Sequence, residues 1–261
     1  MEIWQAIVLG AVQGFAEFLP ISSSGHLMLI QHWFGITEGA FFYSIMLHVG
    51  TLIPVIIVLW REIVGLFKAP YSRLGLLILA TIPAGVVGII FSLVLDLDAI
   101  FSQNIWLLAI TFVLTAAELI FSEVRCKKKE MLNPINLKTS LYMGFGQALG
   151  VVPGLSRSGT TISAGCLAKV DRNQNANFTF LMSIPIILAA ALMEGVKALT
   201  GEGLGDINVW ALVAGMATAM ACGYIAIRFM LKIIKKANYK WFSVYLVLIS
   251  IATIITAVLG V

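Results

Sequence analysis

Ser22-Ser23-Ser24-Gly25-His26 and Ser156-Arg157-Ser158-Gly159-Thr160 are two copies of one short segment, separated by 134 residues. The same shift aligns Gly10-Ala11-Val12-Gln13 with Gly144-Phe145-Gly146-Gln147. In membrane proteins, a weak duplication of short apolar segments broken by proline and glycine is typical of inverted repeats, whose binding site lies between the two copies. The functional residues are therefore expected where the two segments meet.

The composition is that of a membrane protein. Of the 261 residues, 60% are hydrophobic and 11% are charged, against about 25% charged residues in soluble domains. Six apolar stretches, two of them with their flanks, are long enough to cross a bilayer, which takes about 20 helical residues. We expect these crossings at residues 41–60, 74–95, 105–121, 178–193, 207–227 and 241–261, with tryptophans near their ends.

Two further apolar segments are too short to cross. Residues 3–16 run into Glu17, Pro20 and the serines, and the second copy is broken in the same way around Pro153-Gly154. We interpret each as re-entrant, because irregular backbone lies at membrane depth only where protein or water satisfies its polar groups. The predicted fold class is an all-α polytopic membrane protein, an inverted-topology repeat with six transmembrane helices and two re-entrant helix-loop-helix elements. Its repeats are residues 1–130 and 131–261, which together form one membrane domain.

Charged residues predict the orientation. The basic clusters all fall on one side of the membrane: Arg61, Lys68, Arg73, Arg125, Lys127, Lys128, Lys129, Arg228, Lys232, Lys235, Lys236 and Lys240. The loops on the other side carry Asp96, Asp98, Glu202 and Asp206. The positive-inside rule makes the basic side cytoplasmic. Three crossings per repeat give the repeats opposite polarity, so the first re-entrant loop enters from outside, the second from the cytoplasm, and their tips meet near the midplane.

The charge and the cysteine content argue against a nucleic acid partner and against a disulfide or zinc framework. The net charge of +4 arises mostly from the basic loops, so no nucleic acid partner is expected. The three cysteines, Cys126, Cys166 and Cys222, show neither CxxC spacing nor an even count. No disulfide or zinc framework is therefore expected.

Ionisable side chains gather in the first copy. Gln13 and Glu17 are four residues apart and so share a helix face, and His26 follows the Ser/Gly turn. An ionisable residue inside a membrane is costly and marks a functional-site hypothesis. The structural alternative is that Glu17 caps backbone amides and that His26 donates to a carbonyl.

Arg157 is the basic residue of the second copy. Its planar fork of donors suits a phosphate. Hydroxyls and helix N-terminal amides surround it and make an anion cradle, formed by Ser156, Ser158, Thr160 and Thr161. The structural alternative is an ion pair between Arg157 and Glu17.

Both copies resemble motifs of the undecaprenyl-diphosphate phosphatase family of bacterial membrane enzymes. Residues 13–26, QGFAEFLPISSSGH, resemble its E/Q-x-x-x-E motif with a Ser/His extension, and residues 153–161, PGLSRSGTT, resemble its PGxSRSxxT motif. The resemblance covers the whole chain, including residues 47–51, 81–83 and 183–185. It implies removal of the terminal phosphate of the C55 isoprenoid diphosphate, recycling of the lipid carrier of cell-wall precursors, and an effect on bacitracin resistance. Many members carry Glu at the position of Gln13, where the motif also permits Gln.

The resemblance implies a role for each site residue. Arg157 would clamp the diphosphate, and Glu17, with Gln13, would hold a divalent cation, Mg²⁺ or Ca²⁺, or orient a partner. For the displacement, either Ser23 attacks with His26 as base, or His26 is itself phosphorylated. The full set of expected substrate-binding residues is Gln13, Ser22, Ser24, Ser156, Ser158, Thr160 and Thr161.

A transporter or flippase of an isoprenoid lipid phosphate is the alternative function, because inverted repeats with broken helices are also a transporter architecture. Glu17 and His26 together favour hydrolysis, since transport needs no nucleophile and base. The expected partners are undecaprenyl diphosphate and the bilayer, and a homodimer is left open. We expect a multi-pass protein of the bacterial cytoplasmic (inner) membrane, with its active site facing the outer side.

Overall fold

The computed structural model describes residues 1–128, 132–199, 208–236 and 238–260. The described chain is helical apart from turns and one isolated bridge between Asn133 and Val170. A short π-helical turn, Phe91–Leu95, follows the fifth helix. The α-helices are α1 (Ile3–Phe18), α2 (Ser23–Trp33), α3 (Ala40–Val58), α4 (Trp60–Leu66), α5 (Ser72–Ile90), α6 (Leu97–Gln103), α7 (Trp106–Lys128), α8 (Leu137–Leu149), α9 (Arg157–Leu167), α10 (Arg172–Leu199), α11 (Val209–Lys236) and α12 (Lys240–Leu259).

Six of the described helices are long and apolar enough to cross a membrane, as the sequence predicts. Their spans are Ala40–Val58, Ser72–Ile90, Trp106–Cys126, Arg172–Val196, Val209–Ile234 and Lys240–Leu259. Helix α1 is apolar but shorter, in agreement with its predicted re-entrant role. The all-α polytopic fold class is confirmed.

Several predicted bounds are wrong. The crossings expected at residues 105–121 and 178–193 are longer, because α7 and α10 continue through polar residues that a hydropathy pattern leaves out. The first crossing ends at Val58, before the separate helix α4, and the α-helix of the second crossing, α5, ends at Ile90. Several residues used in the predictions lie outside the described ranges: Lys129, Glu202, Asp206, Ile207 and Val261.

Each re-entrant element is a pair of helices joined by a short turn. We call residues 19–26 the first tip, which joins α1 to α2 and includes the first turn of α2. Residues 153–160 are the second tip, which joins α8 to α9 and includes the first turn of α9. Ser22 and Ser156 are the N-caps of α2 and α9, and each accepts a hydrogen bond from a glycine N–H three residues on. This cap satisfies an otherwise unpaired helix amide. The serines of the repeated segment are thus part of the reason that both tips form.

Helix packing follows the sequence repeat. Helix α1 packs on α11, and its equivalent α8 packs on α5. Gly10 faces the carbonyl oxygen of Gly215, and the equivalent Gly144 faces that of Ala80, so close in both cases that no Cβ would fit. Small residues allow such close approach of two helices in a membrane. The repeat therefore preserves a packing contact, whereas the boundary at residues 130 and 131 lies outside the described part and stays a prediction.

The cysteine expectation needs a correction. Cys126 of α7 and Cys166 of α9 are paired as a disulfide, with Cα atoms 5.7 Å apart, a separation typical of such bonds. The pair joins helices 40 residues apart in sequence, so no local spacing pattern indicated it. Cys222 is free, and among the described residues no three His, Cys, Asp or Glu side chains form a metal-binding group.

Candidate active site

Glu17, near the end of α1, is the centre of the site. Its carboxylate is buried, and Oε1 pairs with Nη2 of Arg157 on α9. The other oxygen, Oε2, accepts hydrogen bonds from Ser23 Oγ at 2.7 Å and from Gln13 Nε2 at 3.1 Å. The two re-entrant elements therefore meet at this ion pair, as the repeat predicts.

Local backbone geometry brings these side chains together. Helix α1 ends at Phe18, just before Pro20, and Ser22 then adopts a left-handed conformation with φ of 68°. This reversal starts α2 at Ser23, whose hydroxyl points back at Glu17. In the second tip, Gly154 has φ of 84°, and a Cβ there would clash with the Thr111 side chain. A non-glycine residue would therefore displace the turn that presents Arg157.

His48 of α3 is a site residue that the sequence reasoning did not select. Its Nε2 lies 3.3 Å from Glu17 Oε2, and its Nδ1 lies 2.7 Å from the carbonyl oxygen of Ser44. Residues 47–51 were noted only as part of the family resemblance. A signal did exist, because an ionisable side chain in an apolar crossing is a functional-site hypothesis in its own right.

The structure does not form the predicted contact between Ser23 and His26. His26 Nδ1 lies 2.7 Å from the Ser22 carbonyl, and Nε2 lies 2.7 Å from the hydroxyl of Tyr245. The carbonyl can only accept, so Nδ1 donates and, in the neutral ring, Nε2 accepts from Tyr245. The rings of His26 and Tyr245 also stack, 5.5 Å apart and 9° from parallel. Ser23 instead donates to Glu17.

Most of the hydroxyls expected to bind substrate hold the backbone of the tips. Thr160 and Thr161 donate to the Arg157 carbonyl at 3.1 and 2.7 Å, and Ser158 donates to the Leu19 carbonyl at 3.3 Å. Ser22 and Ser156 are occupied as N-caps, and the hydroxyls of Ser22 and Ser24 lie 3.4 Å apart. The surroundings of the Glu17–Arg157 ion pair include Phe18, Ser158, Thr161, Thr179, Phe180 and Ser183. Thr179 and Ser183, both on α10, are additions from the structure.

The residues around Glu17 fit a hard divalent cation. Gln13 is fully buried, and its Oε1 has no hydrogen-bond partner among the residues that the structure describes. The Nε2 of the same amide donates to Glu17 Oε2. An amide oxygen beside a carboxylate is the kind of ligand pair that Mg²⁺ and Ca²⁺ accept. A single carboxylate supplies little charge, so water or phosphate oxygens would complete the coordination.

Comparison with known proteins gives one consistent result. Residues 6–252 match the family described as bacitracin resistance protein BacA. The undecaprenyl-diphosphatase of Carboxydothermus hydrogenoformans is 35% identical, over 100% of this chain and 99% of that protein. The undecaprenyl-diphosphatase of Treponema denticola is 38% identical, over 95% and 94% of the two chains. That of Moorella thermoacetica is 39% identical, over 99% and 98%.

Proposed function

Because the chain belongs to the family of the bacitracin resistance protein BacA, we propose that the Glu17–Arg157 site catalyses the hydrolysis for which its relatives are named. The protein is an integral membrane phosphatase that hydrolyses undecaprenyl diphosphate to undecaprenyl phosphate and inorganic phosphate. This reaction recycles the lipid carrier for cell-wall synthesis. Of the two functions that the sequence left open, hydrolysis is therefore the one we adopt over transport. The observation that carries the residue assignment is the contact of Glu17 with both Ser23 and Arg157.

Ser23 is the nucleophile in this proposal, and Glu17 is its base. The hydroxyl attacks the terminal phosphorus, its proton passes to Glu17 Oε2 at 2.7 Å, and undecaprenyl phosphate leaves as the anhydride bond breaks. Water then attacks the phosphoserine and gives one proton to the released phosphate, while Glu17 returns its proton to Ser23 Oγ. A carboxylate within hydrogen-bond reach of the attacking hydroxyl satisfies the geometric requirement for general base catalysis.

Arg157 couples substrate binding to the base. Before substrate binds, its guanidinium neutralises Glu17. A diphosphate offers oxygens that match the planar fork of donors, so binding draws Arg157 from the carboxylate to the phosphate. The departure of Arg157 leaves Glu17 available to the Ser23 hydroxyl, and the guanidinium stabilises the charge that develops at phosphorus.

The two histidines hold the site in shape. His48 Nε2 and Gln13 Nε2 lie 3.3 Å and 3.1 Å from Glu17 Oε2, and these contacts hold the oxygen that Ser23 contacts. His26 ties its own ring to the Ser22 carbonyl and so holds the reversed turn before Ser23. This proposal replaces His26 by Glu17 as the base for Ser23, because no hydrogen bond joins Ser23 to His26 in the described residues.

Gln13 and Glu17 would hold a divalent cation, Mg²⁺ or Ca²⁺, in this proposal. When bound, the cation supplies positive charge to the diphosphate oxygens, which Arg157 alone does not neutralise. We expect phosphate release to stop on chelation and to return when Mg²⁺ or Ca²⁺ is added back. Full activity of a thoroughly chelated protein would remove the cation from the account.

The function is tested by the release of inorganic phosphate from undecaprenyl diphosphate by the purified protein. We expect wild type to release phosphate and Glu17→Gln to lose nearly all activity, because the amide neither accepts the Ser23 proton nor pairs with Arg157. Glu38→Gln, in an exposed loop, is the matched control and should behave as wild type. Normal turnover by correctly folded Glu17→Gln protein would refute the proposed base.

We also propose that the protein lies in the bacterial cytoplasmic membrane with its site open to the outer side, on the basis of the basic loops. Glu38 follows α2, and Lys169 lies at the equivalent end of α9; both are exposed. In a Cys222→Ala background, Glu38→Cys should react with an impermeant maleimide in intact cells, and Lys169→Cys should react only after lysis. The opposite labelling pattern would mean that the topology is inverted.

A homodimer stays a prediction, which light scattering from purified protein can check.

A further inference from the structure

A loosely packed seam separates α2 from α12. Two side-chain hydrogen bonds cross it, His26 to Tyr245 at 2.7 Å and Trp33 Nε1 to Thr256 Oγ1 at 2.9 Å. On each helix the residues that face the seam follow at helical spacings of three or four, which places them on one face. We define the seam by His26, Ile30 and Trp33 on α2 and by Tyr245, Ile249, Ala252 and Thr256 on α12. Trp33 and Tyr245 are 44% and 40% exposed.

The equivalent helix pair, formed by α9 and α7, is closed. A shift of 134 residues maps the α12 side of the seam onto Thr111, Thr115, Glu118 and Ser122 of α7, and α7 packs closely on α9. The Ser156 N–H donates to Thr115 Oγ1 at 3.3 Å, and the Cys126–Cys166 disulfide joins the same two helices. Helices α2 and α12 have no comparable packing in the described structure.

Between its two hydrogen bonds the seam is apolar. Ile30 packs against a small hydrophobic cluster of Leu9, Leu27, Leu47 and Ala219. Ile249 packs against the large hydrophobic core, which contains Leu246 and Phe112. Ile30 and Ile249 therefore contact different clusters, although Leu29 of α2 and Leu246 of α12 both belong to the large core. Separation of α2 from α12 would break these two side-chain hydrogen bonds and the stacking of the His26 and Tyr245 rings.

We propose that this seam is the lateral entrance through which the isoprenoid chain of the lipid diphosphate reaches the site. The inference rests on the proposed function and names the path of its substrate. A diphosphate held between Arg157 and Ser23 carries a long apolar chain that must remain in the bilayer, so the site needs an opening toward lipid. The seam starts at His26, three residues after Ser23, and its walls are apolar. Its opening also separates Tyr245 from His26, which frees His26 Nε2 as substrate arrives.

A bulky side chain in the seam tests this entrance. Ala252→Phe fills it, while the adjacent Ile251→Phe changes an exposed residue of the same helix and is the matched control. We expect Ala252→Phe to raise KM for undecaprenyl diphosphate by at least about tenfold, with geranyl diphosphate hydrolysed as by wild type. Equal effects on both substrates, or no effect on either, would overturn the entrance. Failure of wild type to hydrolyse any diphosphate would instead refute the proposed function.

A reversible lock across the seam gives a second, independent test. In a Cys222→Ala background, Trp33→Cys with Thr256→Cys is joined by a bismaleimide whose linker contains a cleavable bond. Turnover of undecaprenyl diphosphate should stop in the locked protein and return after cleavage. The control pair Tyr43→Cys with Asn208→Cys spans α3 and the start of α11, where the Tyr43 hydroxyl donates to the Asn208 carbonyl at 3.2 Å. Unchanged turnover in the locked seam, or an equal loss in the control, would contradict the proposal.

Discussion

Ser22 of the first tip accepts a hydrogen bond from the Gly25 N–H at 3.3 Å, and Ser156 of the second tip accepts one from the Gly159 N–H at 3.1 Å. The hydroxyls of Ser22 and Ser24 lie 3.4 Å apart, and those of Ser156 and Ser158 lie 3.3 Å apart. Even the residues that follow α2 and α9 agree, because Gly35 and Lys169 both have left-handed backbone. The two tips thus share one hydrogen-bonded scaffold.

The chemistry at equivalent positions differs. Where the first copy has Ser23, the second has Arg157, and the position equivalent to Glu17 holds Val151. The Glu17 carboxylate and the Ser23 hydroxyl therefore come from the first repeat, and the Arg157 guanidinium comes from the second. Each charge is costly in a membrane when unpaired, so the site is complete only when both tips are in place. The duplication supplies the scaffold, and the divergence supplies a carboxylate, a nucleophile and a phosphate clamp.

The largest expected effect comes from the nucleophile of the first tip. Ser23→Ala removes the attacking oxygen in this account, so phosphate release should fall by at least about 10³-fold. Ser24→Ala is the matched control, because its hydroxyl contacts Ser22 and should change turnover by only a few-fold at most. The comparison is measured as kcat/KM for undecaprenyl diphosphate. Equal losses in both variants would mean that the serines act through the turn instead of through attack.

The second expected effect concerns the clamp. Arg157→Lys keeps the charge but loses the bidentate fork, and we expect kcat/KM to fall on the order of 10²-fold. Arg228→Lys is the control, since Arg228 is an exposed residue that contacts Tyr224. Near-normal kinetics of folded Arg157→Lys protein would show that the second tip contributes an ion pair and no transition-state contact.

The smallest expected effect tests the shared scaffold. Gly10→Ala and Gly144→Ala each push a Cβ into the backbone of a neighbouring helix, so each should lower the free energy of unfolding by about 1–3 kcal/mol. Gly85→Ala meets nothing within 4 Å and should be close to neutral. Thermal unfolding in detergent compares the three variants. A loss at only one of Gly10 and Gly144 would break the packing equivalence of the repeats.

The sequence predicts the features that depend on local patterns. Six crossings, two interrupted elements and the meeting of the two tips follow from hydropathy, from proline and serine positions and from the repeat. The Glu17–Arg157 ion pair itself was expected only as the structural alternative for Arg157. The contacts of His48 and Tyr245 could not be predicted from such patterns, because α3 and α12 reach the first tip through tertiary packing that no short motif encodes. The helix ends of α7 and α10 were misplaced for a related reason, since polar residues extend a helix beyond its apolar span.

The central claim is that the first tip performs the chemistry at Ser23, with Glu17 as its base. The most direct measurement mixes the purified protein rapidly with undecaprenyl diphosphate labelled at the terminal phosphate, quenches parallel samples in acid and in base, and locates the label by mass spectrometry. The account predicts acid-stable label on Ser23, and none in Ser23→Ala. Label that is lost in acid and found on His26 in base would contradict it.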